Sequence, residues 1–223
     1  DRSPSRGLGD VYKRQLKYIP ELIISDVMMP VQDGIALCNE LKYNELTSHI
    51  PIILLTAKVG EENEMIGLKT GADAYVTKPF NSENLKIRVA KLIESRKQLQ
   101  KRFSKDFSIQ PELAVSSTEA SFLSRLKMVL DKEIIQPTFT SEQFANDMLL
   151  SRTQLHRKLK AIFNMSASEF IRSQRLKLSL ELLKESDATV SEIAYQVGFN
   201  TPSYFIKCFK ETYHCTPNEY YQK

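Results

Sequence analysis

Short apolar runs alternate with helix-like segments along the first hundred residues. The runs lie in ELIISDVMMP (21–30), PIILLTA (51–57) and AYVTKPF (74–80). Helical periodicity appears between them, at 34–43 and at 61–70, and the second of these segments is followed by Gly71, which suits a left-handed helix end. Apolar strands that alternate with helices predict an α/β domain with a parallel sheet.

Three polar residues stand where these predicted strands end. Asp26, Thr56 and Lys78 each follow an apolar run at its carboxyl end. Ligands of open parallel sheets bind at that edge. The pattern therefore predicts that a carboxylate, a hydroxyl and an ammonium group share one site.

A long helix is predicted next, over 81–103, with an apolar stripe at helical spacing. Two interpretations of this stripe stay open, since it can pack on the sheet or continue beyond it as a signalling rod or a dimer seam. Residues 104–117 contain Pro111 and four serines without a clear period, and we interpret them as a linker. Beyond residue 118 the apolar spacing is helical throughout.

A degenerate duplication occupies the last 85 residues. Thr140–Gln143 matches Thr189–Glu192 at an offset of 49, and after a turn the offset becomes 50, as in the pair Phe163 and Tyr213. Five segments have the spacing of a helix-capping box, and Pro202 and Pro217 suit first helical positions. The boxes start at Thr140, Ser151, Ser166, Thr189 and Thr216. Each repeat is thus predicted to be a helix-turn-helix, with turns at 149–150 and 198–200.

The polar faces of the second helix in each repeat favour nucleic-acid binding. If Leu155, Leu159, Phe205 and Phe209 form the core, hydroxyl and basic side chains remain outside, and these suit base edges and phosphates. The connecting helix near 166–184 is about 28 Å long, comparable to the spacing of successive major-groove faces. The predicted contacts are Arg152, Thr153, His156, Arg157 and Lys160 in the first repeat, and Ser203, Tyr204, Lys207 and Lys210 in the second.

Composition narrows the class of protein. The formal net charge is only +4, but the window 151–180 contains seven basic residues against Glu169 as its single acid. A solvated helix face is the alternative interpretation of this charge run. No apolar stretch predicts a membrane span or a secretory signal, and the three cysteines fit neither a disulfide framework nor a zinc site. We expect a cytoplasmic protein without membrane contact.

Residues 118–223 resemble the AraC/XylS-type DNA-binding domain. The segments FTSEQFANDMLLSRTQLHRKLK and TVSEIAYQVGFNTPSYFIKCFKETYHCTPNEYY carry the resemblance. It implies base-reading roles for Thr153, His156 and Arg157, and for Ser203 and Lys207. Pro202 departs from the family, which often has a polar side chain there. An ordinary exposed helix residue is the alternative interpretation of His156.

Residues 16–103 resemble the later part of a response-regulator receiver domain. IISDVMMPVQDG, LLTAK and GADAYVTKPF form the signature. The resemblance implies that Asp26 is the phosphoacceptor, that Thr56 and Lys78 bind the phosphoryl group, and that Tyr75 reports phosphorylation. It also implies a cis Lys78-Pro79 peptide and a Mg²⁺ ion held by Asp26 and the backbone carbonyl of Met28.

The receiver pattern is incomplete at its beginning. Two strands, two helices and the acidic pair that binds Mg²⁺ precede the phosphoacceptor strand of a whole receiver, and this chain shows no such pair. Residues 1–15 match nothing that follows, and we interpret them as a tail foreign to the domain. We therefore expect a partial flavodoxin-like receiver that holds Mg²⁺ weakly and is phosphorylated inefficiently.

The sequence predicts a two-component response regulator rather than an enzyme. In this interpretation Asp26 phosphorylation by a cognate histidine kinase controls binding to double-stranded DNA. The order of domains resembles the end of hybrid regulators of Bacteroidetes, in which the kinase shares the polypeptide. Two alternatives remain, namely the C-terminal part of a hybrid kinase that acts in phosphotransfer and a helical protein-interaction module. A homodimer through the receiver or the 81–103 helix is also left open.

Overall fold

The computed structural model describes residues 20–30, 32–57, 70–106 and 109–221. The chain forms two compact units. The first contains the described residues up to Lys101 together with Pro111–Phe122, and the second contains the described residues of Arg102–Gln110 and Leu123–Lys223. The predicted domain boundaries at 103/104 and 117/118 differ from this division and stay predictions.

The first compact unit contains a three-stranded parallel sheet, as the alternating pattern predicts. Its strands are β1 (Ile23–Asp26), β2 (Ile52–Thr56) and β3 (Ala74–Thr77), in the spatial order β1-β2-β3. Helix α1 (Gly34–Tyr43) begins at Asp33, whose side chain accepts a hydrogen bond from the Ile35 amide at 2.9 Å. Buried side chains of α1 and β2, among them Leu41 and Ile52, form the core beside the sheet.

A close backbone contact explains the glycine at the start of α1. The Gly34 amide donates to the Val27 carbonyl at 2.9 Å, which ties the helix to the end of β1. A Cβ atom at residue 34 would lie only 2.1 Å from the Asp26 carbonyl oxygen. Because no side chain fits this space, the loop that follows Asp26 depends on glycine here.

The other predicted elements of this unit are confirmed where they are described. Gly71 has a φ of 72°, the left-handed conformation expected after a helix. Of the predicted helix 61–70, only Thr70 belongs to the described residues, and it is helical. Helix α2 (Ser82–Asp106) is three residues longer at its end than predicted. A short 3-10 turn (Pro111–Leu113) and the start of α3 (Ser117–Glu133) follow.

The second compact unit is helical and contains both repeats. The first repeat is α4 (Ser141–Asp147) and α5 (Arg152–Phe163), and the second is α7 (Val190–Gln196) and α8 (Pro202–Tyr213). Helix α6 (Ala167–Glu185) connects them, and α9 (Pro217–Tyr221) ends the described chain. The structure confirms two helix-turn-helix motifs joined by a 19-residue helix.

Matched aromatic contacts show that the duplication is structural. In the first repeat the ring of Phe163 lies 4.5 Å from that of Phe170, and in the second their counterparts Tyr213 and Tyr220 lie 6.3 Å apart. The four predicted core residues are fully buried, namely Leu155, Leu159, Phe205 and Phe209. Each repeat therefore buries the corresponding face of its second helix.

Side-chain caps start the helices as predicted. Reciprocal capping boxes form at Ser151, Ser166, Thr189 and Thr216. At Thr140 the hydroxyl accepts a hydrogen bond from the Gln143 amide at 3.3 Å. This is one of the two reciprocal bonds that make up a capping box. Such caps satisfy amides that a helix start leaves without partners, so local sequence sets these helix starts.

Candidate functional sites

The carboxyl edge of the sheet brings Asp26 and Lys78 into direct contact. The Lys78 ammonium donates a hydrogen bond to Asp26 Oδ2, and both side chains are partly exposed. The Met28 amide lies 3.4 Å from Asp26 Oδ1 and also donates to this carboxylate. The hydrogen bond from Lys78 lowers the pKa of Asp26, and the positive charge of Lys78 and hydrogen bonds from backbone amides act in the same direction. Together they outweigh the effect of desolvation, which raises this pKa. Asp26 is therefore held as an anion at an accessible edge.

Thr56 and the Lys78-Pro79 peptide complete this edge. Thr56 is the last residue of β2 and is 6% exposed, and its carbonyl accepts from the Lys78 amide at 2.7 Å. The peptide between Lys78 and Pro79 is cis, as the receiver resemblance implies. The convergence predicted from the strand ends thus appears as a paired carboxylate and ammonium with a threonine on the strand between them.

Tyr75 lies one residue into β3 and is half-buried. Its hydroxyl shares a hydrogen bond of 2.6 Å with the Thr70 hydroxyl. Desolvation raises the pKa of this phenol. Its role as a reporter of phosphorylation stays a prediction.

The described residues do not assemble a magnesium site. No group of three or more carboxylate, histidine or cysteine side chains suited to a metal ion occurs in the described part of the chain. Mg²⁺ prefers oxygen ligands in octahedral geometry. Asp26 supplies one carboxylate, but its Oδ2 atom is bonded to Lys78. The residues present at this edge therefore do not fit the ion in the arrangement observed.

The predicted DNA-contacting side chains lie on the outer faces of α5 and α8. Arg152, Thr153, His156 and Lys160 are exposed and Arg157 is half-buried in α5, while Ser203, Tyr204, Lys207 and Lys210 are exposed in α8. Lys160 also donates to the Asn164 carbonyl at 3.0 Å, at the end of its helix. Both faces carry hydroxyl and basic groups at matched positions, as the repeat predicts.

Two cations of the basic window 151–180, Lys158 and Arg175, are not part of an exposed charged surface. Lys158 is fully buried. Arg175 donates from Nε to the Ile134 carbonyl at 2.9 Å and from Nη2 to the Gln136 carbonyl at 2.7 Å. Burial also lowers the pKa of Arg175. The exposed positive charge of this window is therefore smaller than its seven basic residues suggest, and its two exposed cations, Arg152 and Lys160, both lie on α5.

Arg172 belongs to the basic window 151–180, but no local sequence pattern assigns it a role. Its Nη1 atom donates to the Tyr204 hydroxyl at 2.9 Å, and the ring of Tyr204 lies 6.0 Å from that of Phe199. The two residues are 32 positions apart in the chain. A predicted DNA contact is thus bonded to a cation on the connecting helix, which no local pattern indicates.

Family comparisons match both parts of the chain. Residues 7–90 match the response regulator receiver domain, and residues 144–223 match a helix-turn-helix domain of the AraC type. Residues 7–90 therefore belong to the receiver family, and residues 144–223 to the AraC-type helix-turn-helix family. The receiver match begins within the segment 1–15 that sequence analysis set aside as a tail, and residues 1–19 lie outside the described residues.

Two relatives are similar to this chain over different lengths. Over 203 residues the chain is 38% identical to histidine kinase P4 of Formosa agariphila, an alignment that covers 91% of this chain and 15% of the kinase. It is 51% identical over 70 residues to the phosphate regulon regulator PhoB of Pseudomonas aeruginosa, which covers 31% of each protein. The chain thus spans less than a third of the length of each.

Among solved structures, the C-terminal domain of AraT, a response regulator from Geobacillus stearothermophilus, is similar in part. It is 28% identical, covers 45% of this chain and 84% of the AraT chain, and has a TM-score of 0.42.

Two coarser statements follow from these comparisons. The domain composition is typical of regulators rather than enzymes. The receiver match suggests Mg²⁺ as the metal of such a domain. Among the described residues, no helix combines the length and the apolar character needed to cross a membrane.

Proposed function

We propose that this chain is the output part of a two-component response regulator and binds double-stranded DNA sequence-specifically as a transcription factor. The observation that carries the proposal is the pair of matched faces on α5 and α8. Both present hydroxyl and basic side chains above a buried aromatic and aliphatic core, and no acidic residue lies among the predicted contacts. Hydroxyl and basic side chains suit base edges and phosphates.

Phosphorylation of Asp26 controls this activity in our proposal. The carboxylate is ionised and accessible, so one of its oxygens can attack the phosphorus of a phosphohistidine. The P–N bond breaks, an acyl phosphate forms, and the imidazole leaves with a proton from solvent. The phosphoryl group then adds negative charge and acceptor oxygens beside Lys78 and Thr56. Lys78, which bonds Asp26 before transfer, is in place to bond these oxygens afterwards.

The kinase partner belongs to the same polypeptide in this proposal. The support is the alignment with a relative named as a histidine kinase, which covers 91% of this chain. A chain that acts only in phosphotransfer, without DNA binding, is the competing function. A helical protein-interaction module is the other, because a helical hairpin can also bind protein.

Selection from a random duplex library, followed by fluorescence anisotropy across a salt series, tests DNA binding. We expect affinity to fall steeply with salt, because each phosphate contact releases counterions. The double variant Arg157→Ala/Lys207→Ala should lose affinity, whereas Lys86→Ala/Lys132→Ala removes the same charge from exposed positions elsewhere and should not. No duplex binding at low salt, or binding that is flat with salt, would favour the protein-interaction function.

Labelled acetyl phosphate with Mg²⁺ tests the receiver. We expect slow incorporation that Asp26→Asn abolishes. Rapid stoichiometric labelling would contradict the prediction of weak metal binding. Label retained in Asp26→Asn would contradict the assignment of the phosphoacceptor.

A further inference from the structure

A cleft of about 320 Å³ lies in the second compact unit, among α4, α6 and the start of α8. Its lining combines two arginines and five other polar residues with three apolar ones, namely Arg172, Arg175, Thr140, Ser141, Ser168, Asn200, Tyr204, Phe139, Ile171 and Phe199. No aspartate or glutamate lies among the described residues that form its walls. A concave surface with many donors and no acidic group suits an anion.

The two arginines of the cleft differ in what holds them. Arg175 donates to two backbone carbonyls, those of Ile134 and Gln136, so its guanidinium fastens the chain before α4 to α6. Arg172 is half-buried and bonds side chains of α8 instead, the Tyr204 hydroxyl at 2.9 Å and the Cys208 thiol. A guanidinium presents five N–H donors in a planar fork that matches phosphate oxygens. Arg175 is therefore bonded to the backbone. Arg172 is the cation of the cleft whose guanidinium is oriented to bind an anion.

The position of the cleft indicates which anion it meets. Thr140 caps the first helix of the first repeat, and Tyr204 lies beside Ser203 on the predicted recognition face of the second. The cleft thus lies between the two repeats within this unit. When two recognition helices occupy successive major grooves, the sugar–phosphate backbone between the grooves passes the segment that joins them.

We propose that Arg172 binds a phosphodiester of the DNA backbone and that Tyr204 positions its guanidinium for this contact. The inference rests on the proposed DNA-binding function and deepens it. Phosphate contacts set the register of a protein on DNA without reading sequence. Tyr204, which sequence analysis predicted to touch DNA directly, acts in this arrangement through Arg172.

Three variants test the proposal against a duplex selected with the unmodified chain. Arg172→Ala should weaken binding about tenfold for all sequences alike, the loss expected for one charge-assisted hydrogen bond. It should also reduce the salt slope by about 0.9, the value of one phosphate contact. Tyr204→Phe keeps the charge, so it should weaken binding less and leave the salt slope unchanged. Lys177→Ala removes a cation from the same helix outside the cleft and should change affinity less than twofold.

The outcomes separate this inference from the function on which it rests. If the unmodified chain binds no duplex at low salt, the proposed function itself is contradicted. If it binds and Arg172→Ala, folded by circular dichroism, shows the same affinity and slope, only the present inference is overturned. Calorimetry with sodium phosphate at constant ionic strength tests whether the cleft binds free phosphate instead of the DNA backbone. Saturable phosphate binding that Arg172→Ala abolishes, with duplex binding intact, would also overturn it.

Discussion

Arg96 on α2 and Glu119 on α3 form a buried ion pair, with Arg96 Nη2 2.5 Å from Glu119 Oε1. The Glu119 side chain has no exposed surface, and that of Arg96 is 15% exposed. The other carboxylate oxygen accepts a hydrogen bond from the Val115 amide at 2.9 Å. These contacts explain why the start of α3, which sequence analysis placed after a linker, belongs to the first compact unit.

Removal of this arginine should destabilise the protein strongly. Arg96→Ala removes the guanidinium that bonds a buried carboxylate, a change that costs about 3 kcal/mol or more. Urea unfolding of the two proteins measures the difference. Lys86→Ala is the matched control, because its pair with Glu83 is exposed and worth less than about 0.5 kcal/mol. Equal costs for the two variants would show that burial does not strengthen the Arg96 pair.

Substitutions at one matched position in the turns of the two repeats should change stability in opposite directions. Leu149 has a φ of 57° and is 85% exposed, and its counterpart Gly198 has a φ of 88°. Leu149→Asn should stabilise the protein by up to about 1 kcal/mol, because asparagine tolerates the left-handed region better and no burial is lost. Thermal unfolding measures this gain, and a clear loss of stability would contradict it.

Gly198→Ala should instead destabilise the second compact unit. A Cβ atom at this residue would lie 2.9 Å from Arg175 Nε and 2.9 Å from the Ile135 carbonyl oxygen, in addition to the unfavourable φ. We expect a cost of about 2 kcal/mol by the same measurement. A neutral substitution would mean that Arg175 can give up its bonds to the backbone without cost.

The pairing of Lys78 with Asp26 predicts a pH dependence. Lys78→Ala should raise the pKa of Asp26 towards its ordinary value of 3.8, because the hydrogen bond that lowers it is gone. Carbon NMR of the Asp26 carboxyl as a function of pH measures this change. A carboxyl whose pKa is lower in the folded state than in the unfolded state stabilises the fold at a pH above its unfolded-state pKa. That stabilisation is lost as the pH falls through the folded-state pKa. The variant should therefore lose less stability in acid, and an unchanged titration would refute the role of Lys78.

Tyr213 predicts a pH dependence of the opposite sign. Its hydroxyl is buried and has no hydrogen-bond partner in the described part of the chain, and desolvation raises the pKa of the phenol to about 12. A phenol whose pKa is higher in the folded state stabilises the fold at a pH below its unfolded-state pKa of 10.0. This stabilisation is lost as the pH rises towards 12. Tyr213→Phe removes the phenol, so its stability should fall less over this pH range.

The same variant gives a second result at neutral pH. It also removes a buried donor that lacks a partner, so it should be neutral or up to about 1 kcal/mol more stable. Denaturant unfolding at pH 7 and at pH 11 tests both results. A destabilised variant at neutral pH would show that the hydroxyl makes a bond in solution.

Arg157 should read a base if the resemblance of α5 to a recognition helix holds. Arg157→Ala should cost about 1–3 kcal/mol of binding free energy and relax the preference at one position of the selected site. Binding to a panel of single-base variants of that site measures both effects. A uniform loss across the panel would make Arg157 a phosphate contact, and no loss would place it outside the interface.

Local patterns predicted much of the fold. The alternation of apolar runs and helical segments predicted the parallel sheet and the meeting of Asp26 with Lys78, because parallel strands end at one edge. Helix starts followed from capping boxes, whose bonds join residues three apart. The exposed faces of α5 and α8 followed from helical periodicity and the fully buried Leu155 and Phe205. Their contacts with DNA stay predictions.

The partners of long polar side chains could not be predicted in this way. Lys158 counted as surface charge but is fully buried. Arg175 bonds the Ile134 carbonyl 41 residues away, and Arg172 bonds Tyr204 32 residues away. Such side chains reach several ångströms from the backbone, so the neighbouring element decides which partner they meet.

The sequence by itself therefore determined that an α/β part precedes a helical part, the order of their elements and the polar residues at strand ends and helix faces, because these depend on periodicity and on contacts within a few residues. Only the tertiary structure decided which charges remain exposed, which are buried in pairs such as Arg96 and Glu119, and where the cleft around Arg172 forms. The physical reason is that desolvation and ion pairing depend on which surfaces pack together, and residues distant in the chain supply those surfaces.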